Sequence, residues 1–262
     1  MKKVIIYFYL VVGALIINSN VYAITNKNGV EISEKIYEQL VKYYGDDYLM
    51  TITNDDFEYL MSKDIDNIKM ISYYDSPKYS LFSANEITNY KNLKIIVLDN
   101  KVTVKLEWLV QPKVRNYDIV AARFSNLKLN NVIGAKYIYG NDYNLKSISG
   151  IQKFDNGLGV SFKLPSETIR SVYFEFTVSG SGVIYATYQH STTNRINYAQ
   201  SKNFYITNSG LGKVVSFKNG IDKYYDDMNG VSIPVWFIIE FKDYAKFYLN
   251  KTILLILQWL NL

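Results

Sequence analysis

The chain contains no cysteine and only one histidine, and both scarcities exclude whole classes of chemistry. Without cysteine there is no disulfide framework, no lipoprotein anchor, no thiolate nucleophile and no thiolate zinc site. With His190 alone, a site built on two histidines is excluded as well. The sequence also lacks a G-x-S-x-G nucleophile elbow and a glycine-rich phosphate loop. We therefore expect no cofactor, and a hydrophobic core has to stabilise the fold.

The N-terminus has the pattern of a secretory signal. Lys2 and Lys3 precede an apolar run from Val4 to Ile17, and the small-residue pattern Val21-Tyr22-Ala23 follows. This pattern predicts a signal peptide over residues 1–23, with cleavage after Ala23 and a secreted or cell-surface protein. A retained membrane anchor is the alternative, although the run is shorter than the roughly 20 residues that a span needs.

Charge is unevenly distributed along the chain. The formal net charge is +5, but residues 24–66 hold ten acidic residues against four lysines, which leaves the chain after residue 66 strongly basic. The difference indicates two units. The basic part could attract an acidic wall polymer or polysaccharide. Alternatively, the two units attract each other, or the charges are only solvated. Without a stripe of arginine and lysine, nucleic acid is not an expected partner.

Residues 24–66 have helical spacing and predict an acidic helical hairpin. Ser33 is a suitable N-cap, an apolar stripe runs from Ile36 to Tyr44, and Gly45 is a natural stop. Thr53, with Asp56 three residues later, predicts a second helix start.

Residues 67–235 change to a period of two. Every second residue from Val102 to Val110 is apolar, and the segments "VSFKL" and "SVYFEFTV" repeat the alternation. Short alternating strands divided by Gly, Asn and Asp predict a mainly β fold, an antiparallel β-sandwich of jelly-roll or Ig-like type. Ser179-Gly180-Ser181-Gly182 is interpreted as a hairpin turn. Further strands are expected at Leu93–Leu98, Ile119–Phe124, Val132–Tyr139, Phe204–Thr207 and Val214–Lys218.

Strand alternation also predicts which side chains point outward. Glu107 and Glu175 occupy outward positions, so we expect them to be solvated and not to form the carboxylate pair of a glycoside hydrolase. Tyr173 and Tyr185 are candidates for outward aromatic rings that could stack on a sugar. Aromatic residues at strand positions are nevertheless more often core or cross-strand partners.

The segment "GVIYATYQHSTTNRINYAQ" contains the one histidine. Tyr188 and His190 share a strand face, and Arg195 follows nearby, a residue set loosely similar to that of jelly-roll polysaccharide lyases. In that alternative, these three residues would abstract a proton and stabilise an enolate. The preferred interpretation is a structural or merely exposed histidine beside tyrosines, with no catalytic residue assigned. No carboxylate near His190 in the sequence would orient its ring.

Two further segments have alternative interpretations. Asp226, Asp227 and Asn229 in "DDMNG" are candidate calcium ligands, but they lack the spacing and closing glutamate of a helix–loop–helix site and are better explained as a turn. We therefore expect no metal. Residues 236–262 predict an amphipathic helical tail, which either docks on the protein or contacts a membrane surface.

Two stretches, Trp108–Phe124 and Gly182–Val215, resemble exported β proteins of low-G+C Gram-positive bacteria and their mobile elements. These similar proteins also place an acidic helical hairpin after the signal, and they have no assigned activity. The resemblance implies that the Tyr-Gln-His stretch belongs to a scaffold, and it transfers no functional residue.

The sequence thus favours an exported, non-catalytic protein that acts at or outside the cell surface. Its expected ligand is a cell-wall or extracellular glycan, a wall polymer or a surface protein. The alternative is a lyase-like, polysaccharide-active enzyme that uses the Tyr188–His190 face.

Overall fold

A computed structural model describes residues 22–75, 91–207, 214–226 and 230–236. They belong to two compact units, whose boundary in the sequence lies between Ile65 and Asp66. The predicted signal segment before Tyr22 and the predicted tail after Trp236 lie outside the described residues. Within the described ranges, no helix has the length and apolar character to cross a membrane.

The first unit combines a small hairpin with three helices. The strands are β1 (Ala23–Thr25) and β2 (Glu31–Ser33), and the helices are α1 (Glu34–Tyr44), α2 (Asp46–Leu49) and α3 (Asn54–Met61). The predicted helix boundaries are confirmed: α1 follows Ser33 and ends before Gly45, whose φ is 83°. The Thr53 side chain accepts a hydrogen bond from the backbone N of Asp56 and caps α3.

Asn26 connects the hairpin to the helical segment of this unit. Its Oδ1 accepts from the backbone N of Val30 at 3.0 Å, and its Nδ2 donates to the carbonyls of Leu49 (3.0 Å) and Ile52 (2.8 Å). Because the side chain is buried, these bonds satisfy polar atoms that would otherwise be costly to desolvate. One asparagine therefore fixes the approach of chain segments that are far apart in sequence.

The second unit is a nine-stranded antiparallel sheet with a separate two-stranded sheet, which confirms the mainly β prediction. The nine strands are β3 (Lys69–Asp75), β4 (Lys91–Leu98), β5 (Lys101–Trp108), β6 (Tyr117–Tyr139), β7 (Asn144–Ile148), β8 (Gln152–Phe154), β9 (Gly157–Lys163), β10 (Ile169–Gln189) and β13 (Val231–Trp236). Their order in the large sheet is β3-β4-β5-β10-β6-β9-β8, with β13 also paired to β10 and β7 to β6.

The two central strands are much longer than the sequence predicts. β6 has 23 residues and β10 has 21, and they pair with each other along most of their length. The predicted hairpin turn at Ser179–Gly182 is wrong, because β10 continues through it with a register shift between Gly180 and Val183. The glycines serve close strand approach instead: a Cβ on Gly182 would lie 1.9 Å from the carbonyl oxygen of Ser125.

One face of the large sheet forms the main hydrophobic core. Its buried side chains come from both halves of β6 and β10, and Trp108 is among them, as its alternation predicts. The members from the central and neighbouring strands include Val104, Leu106, Trp108, Val120, Phe124, Tyr137, Val160, Phe174, Phe176, Ile184, Tyr188 and Ile233. Burial of this apolar face is the main stabilising term of the unit.

A second, smaller core lies on the opposite face of the first half of β6. There Ile119 and Ala121 pack against the two-stranded sheet formed by β11 (Phe204–Ile206) and β12 (Val215–Phe217). The short helix α4 (Tyr198–Ser201) precedes β11, and Asn197 caps it in a capping box. These elements cover part of that face of the sheet.

Two outward predictions for this sheet are wrong. Glu175 is buried, and its carboxylate pairs with Lys101 at 2.9 Å and Lys136 at 3.5 Å. Tyr173 is also fully buried. The alternation assigned both residues to the correct face, but it assumed that this face is solvated. Tyr185 is half-buried, with the Arg123 guanidinium 4.2 Å from its ring centroid.

Candidate functional site

The sole histidine lies in a buried cluster of polar and aromatic side chains in the second unit. Lys91 begins β4 opposite Trp108, which ends β5, and β5 pairs with the first part of β10. Tyr188 lies near the other end of β10, opposite Val120 of β6. His190 follows β10 directly and is 2% exposed. The Trp108 and Tyr188 rings nevertheless lie 5.8 Å apart, so side-chain packing rather than strand register brings these residues together.

Asp118 is the centre of the hydrogen bonds in this cluster. Its fully buried carboxylate accepts from the Tyr188 hydroxyl at 2.6 Å, from the Ser191 backbone N at 2.9 Å and from the His190 Nδ1 at 2.9 Å. Because a carboxylate only accepts, we assign the hydrogen of the imidazole to Nδ1. The three donors compensate for the burial of the negative charge.

Asp226 and Lys91 form the second half of the cluster. The Asp226 Oδ1 accepts from the backbone N of His190 at 2.7 Å, and its Oδ2 contacts the Lys91 Nζ directly. The Lys91 ammonium lies 5.5 Å from the Trp108 ring centroid and 5.8 Å from that of Tyr188. The Trp108 ring also meets the His190 ring edge-on at 5.0 Å. Cation, carboxylate and aromatic faces thus occupy one buried volume.

Burial also sets the ionisation of two tyrosines near Asp118. It raises the pKa of Tyr188 well above its usual value, and the Asp118 charge raises it further. The same two causes, burial first, raise the pKa of Tyr225. Both phenols therefore stay protonated at physiological pH, and Tyr188 remains a hydrogen-bond donor to Asp118.

The Asp118–His190 pair has the orientation of the last two members of a catalytic triad, but no nucleophile accompanies it among the residues that the structure describes. The Ser191 hydroxyl donates to the carbonyl of Thr193 at 2.8 Å. Among the described residues, none hydrogen-bonds the Nε2 of His190. A triad requires a hydroxyl on that nitrogen. The geometry instead suits a buried structural network.

The residues of the lyase-like alternative are only partly brought together. Tyr188 and His190 meet on Asp118, but both are buried. Arg195 is exposed and lies outside the cluster. Its backbone N–H donates to the Thr193 hydroxyl at 3.3 Å. A sugar ring would need access to all three side chains at once. The geometry therefore gives this alternative no support.

The carboxylates considered for hydrolysis or calcium binding are occupied by cations of the protein. Glu107 contacts Lys105 and pairs with Lys94 at 3.1 Å. Burial raises the pKa of Glu107, but these two ammonium groups outweigh burial and lower it overall. Asp226 contacts Lys91. The other calcium candidates, Asp227 and Asn229, lie outside the described residues. Within the described ranges, no three acidic or histidine side chains are grouped as metal ligands.

An open groove of about 540 Å³ lies on the surface beside α4, and none of its lining residues belongs to the buried cluster. Its lining residues are Gly150, Ile151, Gln152, Tyr198, Ala199, Lys202 and Asn203. The Tyr198 side chain is 38% exposed, and the Lys202 ammonium lies 4.6 Å from its ring centroid. The Gln152 Nε2 donates to the carbonyl of Lys202 at 2.9 Å and joins the two walls.

Sequence reasoning missed the groove and the three charged members of the buried cluster around His190, which are Lys91, Asp118 and Asp226. Asp118 lies 72 residues from His190, so no local spacing could reveal the pair. One signal was present, since Asp118 is a lone acid at the start of the apolar run "IVAARF". A charge in such a run indicates a buried partner.

Comparisons of this chain with known protein families, with curated proteins and with solved structures find no match.

Proposed function

We propose that this protein is exported and binds a glycan of the cell wall or its surroundings without modifying it. The observation that carries the proposal is the groove beside α4, where an exposed tyrosine, a lysine and two amide side chains converge. In contrast, the only histidine is enclosed in a hydrogen-bonded network. An accessible recognition surface and an enclosed polar network favour binding over catalysis.

The chemistry of the groove suits a sugar with an anionic substituent. The Tyr198 ring offers an apolar face to the C–H groups of a sugar, and Gln152 and Asn203 supply amide donors and acceptors. The exposed Lys202 adds a positive charge next to the ring, which fits a carboxylate or phosphate. The basic character of the chain after residue 66 supports the same choice of ligand.

The proposal includes a finer description of the fold, a β-sandwich in the jelly-roll or Ig-like class. Two observations support it. One hydrophobic core collects side chains from both halves of β6 and β10. In addition, β13 contacts β3 and β4 without pairing to either. Strands that touch without hydrogen bonding are typical of two packed layers.

Tyr198→Ala is expected to reduce binding to purified Gram-positive cell wall by at least tenfold, as judged by co-sedimentation. The reason is the loss of the one exposed ring in the groove, and an aromatic anchor of a binding site is typically worth 2 kcal/mol or more. Tyr205→Ala is the matched control, because Tyr205 is 40% exposed but does not line the groove. Equal binding by both variants would exclude the groove as the binding site.

The exported location has its own test. The N-terminal pattern leads us to expect that secreted material begins at Ile24 when its N-terminus is sequenced. An intact N-terminus on protein in the cytoplasmic fraction would contradict export. An intact N-terminus in the membrane fraction would support the anchored alternative instead.

A further inference from the structure

The contact between Lys91 and Asp226 differs in its surroundings from an ordinary surface ion pair. The Lys91 side chain is fully buried and that of Asp226 is 19% exposed. The amine is enclosed by the rings of Trp108 and Tyr188. An amine and a carboxyl group are thus held in direct contact, largely shielded from water, on chain segments 135 residues apart.

We propose that Lys91 and Asp226 join covalently, through an amide bond between the Lys91 Nζ and the Asp226 Cγ. The bond forms within the folded chain and requires no cofactor, oxidant or second protein. It is a cross-link of a kind that a protein without cysteine can make, and it connects the start of β4 to the segment that precedes β13.

The reaction is a condensation in which atoms and charges balance. The ammonium of Lys91 transfers one proton to the Asp226 carboxylate, which leaves a neutral amine and a carboxylic acid. The amine lone pair then attacks Cγ and forms the N–C bond. A second proton moves from the nitrogen to the hydroxyl oxygen, the C–O bond breaks, and one water molecule leaves. The two opposite charges disappear, and a neutral amide remains.

The backbone around His190 is placed to assist this step. Its N–H donates to the Asp226 Oδ1 at 2.7 Å, the oxygen on which negative charge develops when the amine attacks Cγ. The Asp226 N–H donates back to the His190 carbonyl at 2.9 Å. Asp118 holds the His190 backbone N–H in place, because the Asp118 carboxylate accepts from the His190 ring and from the Ser191 N–H. Asp118 is therefore a positioning residue for the carboxyl group.

Burial also favours the product. A buried ion pair carries a desolvation penalty that its attraction does not always offset. Amide formation removes both charges and therefore this desolvation penalty, and the Lys91 Nζ and the Asp226 Cγ are then held together by a covalent bond. A surface pair gains nothing comparable, because water competes for amine and carboxylate alike.

Lys105 provides a matched control from the same sheet. Its Nζ contacts the Glu107 carboxylate and it is buried, but the two residues lie on one strand only two positions apart. Glu107 also pairs with Lys94 and accepts from the Asn92 amide. Because Glu107 is held by two ammonium groups, a bond to Lys105 would leave Lys94 beside a neutral amide, so we expect no bond there.

The test is the intact mass of the purified chain, measured under denaturing conditions. We expect the mass to lie one water molecule below the value for the sequence from its observed N-terminus. Lys91→Arg and Asp226→Ala should both restore the full mass, because each removes one reacting group. Lys105→Arg should still be one water short. Proteolysis of the parent should yield one branched peptide that contains both Lys91 and Asp226.

Two results would overturn the proposal. A full mass in the parent protein would reduce the pair to a buried salt bridge. A missing water with separate Lys91 and Asp226 peptides would place the loss elsewhere, for example in a succinimide at an aspartate. Both outcomes are decided on the parent protein, so they do not depend on whether a variant folds.

Discussion

Asp118→Ala is expected to destabilise the second unit by roughly 3–5 kcal/mol, the usual cost of removing one partner from a buried charged network. The substitution takes the common acceptor away from the Tyr188 hydroxyl, the His190 ring and the Ser191 N–H. Each donor is buried, and each would lose its hydrogen bond without gaining water in exchange. Urea denaturation of parent and variant measures the difference directly.

The exposed Asp155 is a matched control for this experiment, because Asp155→Ala removes a carboxylate that the structure places at the surface. Its effect should stay within about 0.5 kcal/mol. If Asp118→Ala were equally mild, the network would have to be hydrated and the buried description of His190 would be incorrect.

Trp108→Ala is expected to cost roughly 3–5 kcal/mol, the range for removal of a large aromatic side chain from a core. Trp108 belongs to the main core, and its ring meets those of His190 and Tyr188 edge-on at 5.0 and 5.8 Å. Alanine would leave a cavity beside Lys91 and withdraw one aromatic face from its Nζ. The measurement is again the free energy of unfolding in urea.

The neighbouring residue supplies the control here. Leu109 directly follows Trp108 and is 54% exposed, so Leu109→Ala should change stability by no more than about 0.5 kcal/mol. A loss under about 1 kcal/mol for Trp108→Ala would show that the ring contributes little to the core. It would then become a candidate for ligand stacking instead.

The alternation in "KVTVKLEW" predicted β5 and the buried position of Trp108, because side chains on a strand point to opposite faces regardless of the rest of the fold. Local helix signals also predicted the helix boundaries at Ser33, Gly45 and Thr53, although only Thr53 caps its helix through a side-chain hydrogen bond and Ser33 does not. These features depend on neighbours in the sequence, so the sequence contains the necessary information.

Features that depend on distant pairing were not predictable in the same way. Gly180 and Gly182 have the composition of a turn, and only the approach of β6 makes them a bulge. Glu175 was expected in water, since alternation assigns a face but not its solvent exposure. The partners of His190 were missed for a related reason: strand register over long loops determines which carboxylate reaches the ring.

The pairing of β13 has a consequence for the order in which the fold can form. β6 pairs with one edge of β10. On the other edge, the second half of β10 pairs with β13, Val231–Trp236. Until that late segment is present, the central strand of the sheet has an open edge, a template for aggregation. Such non-local pairing also slows folding. The sheet is therefore completed only after the chain has been synthesised through Trp236, and a truncation before Val231 should leave an aggregation-prone intermediate rather than a smaller stable domain.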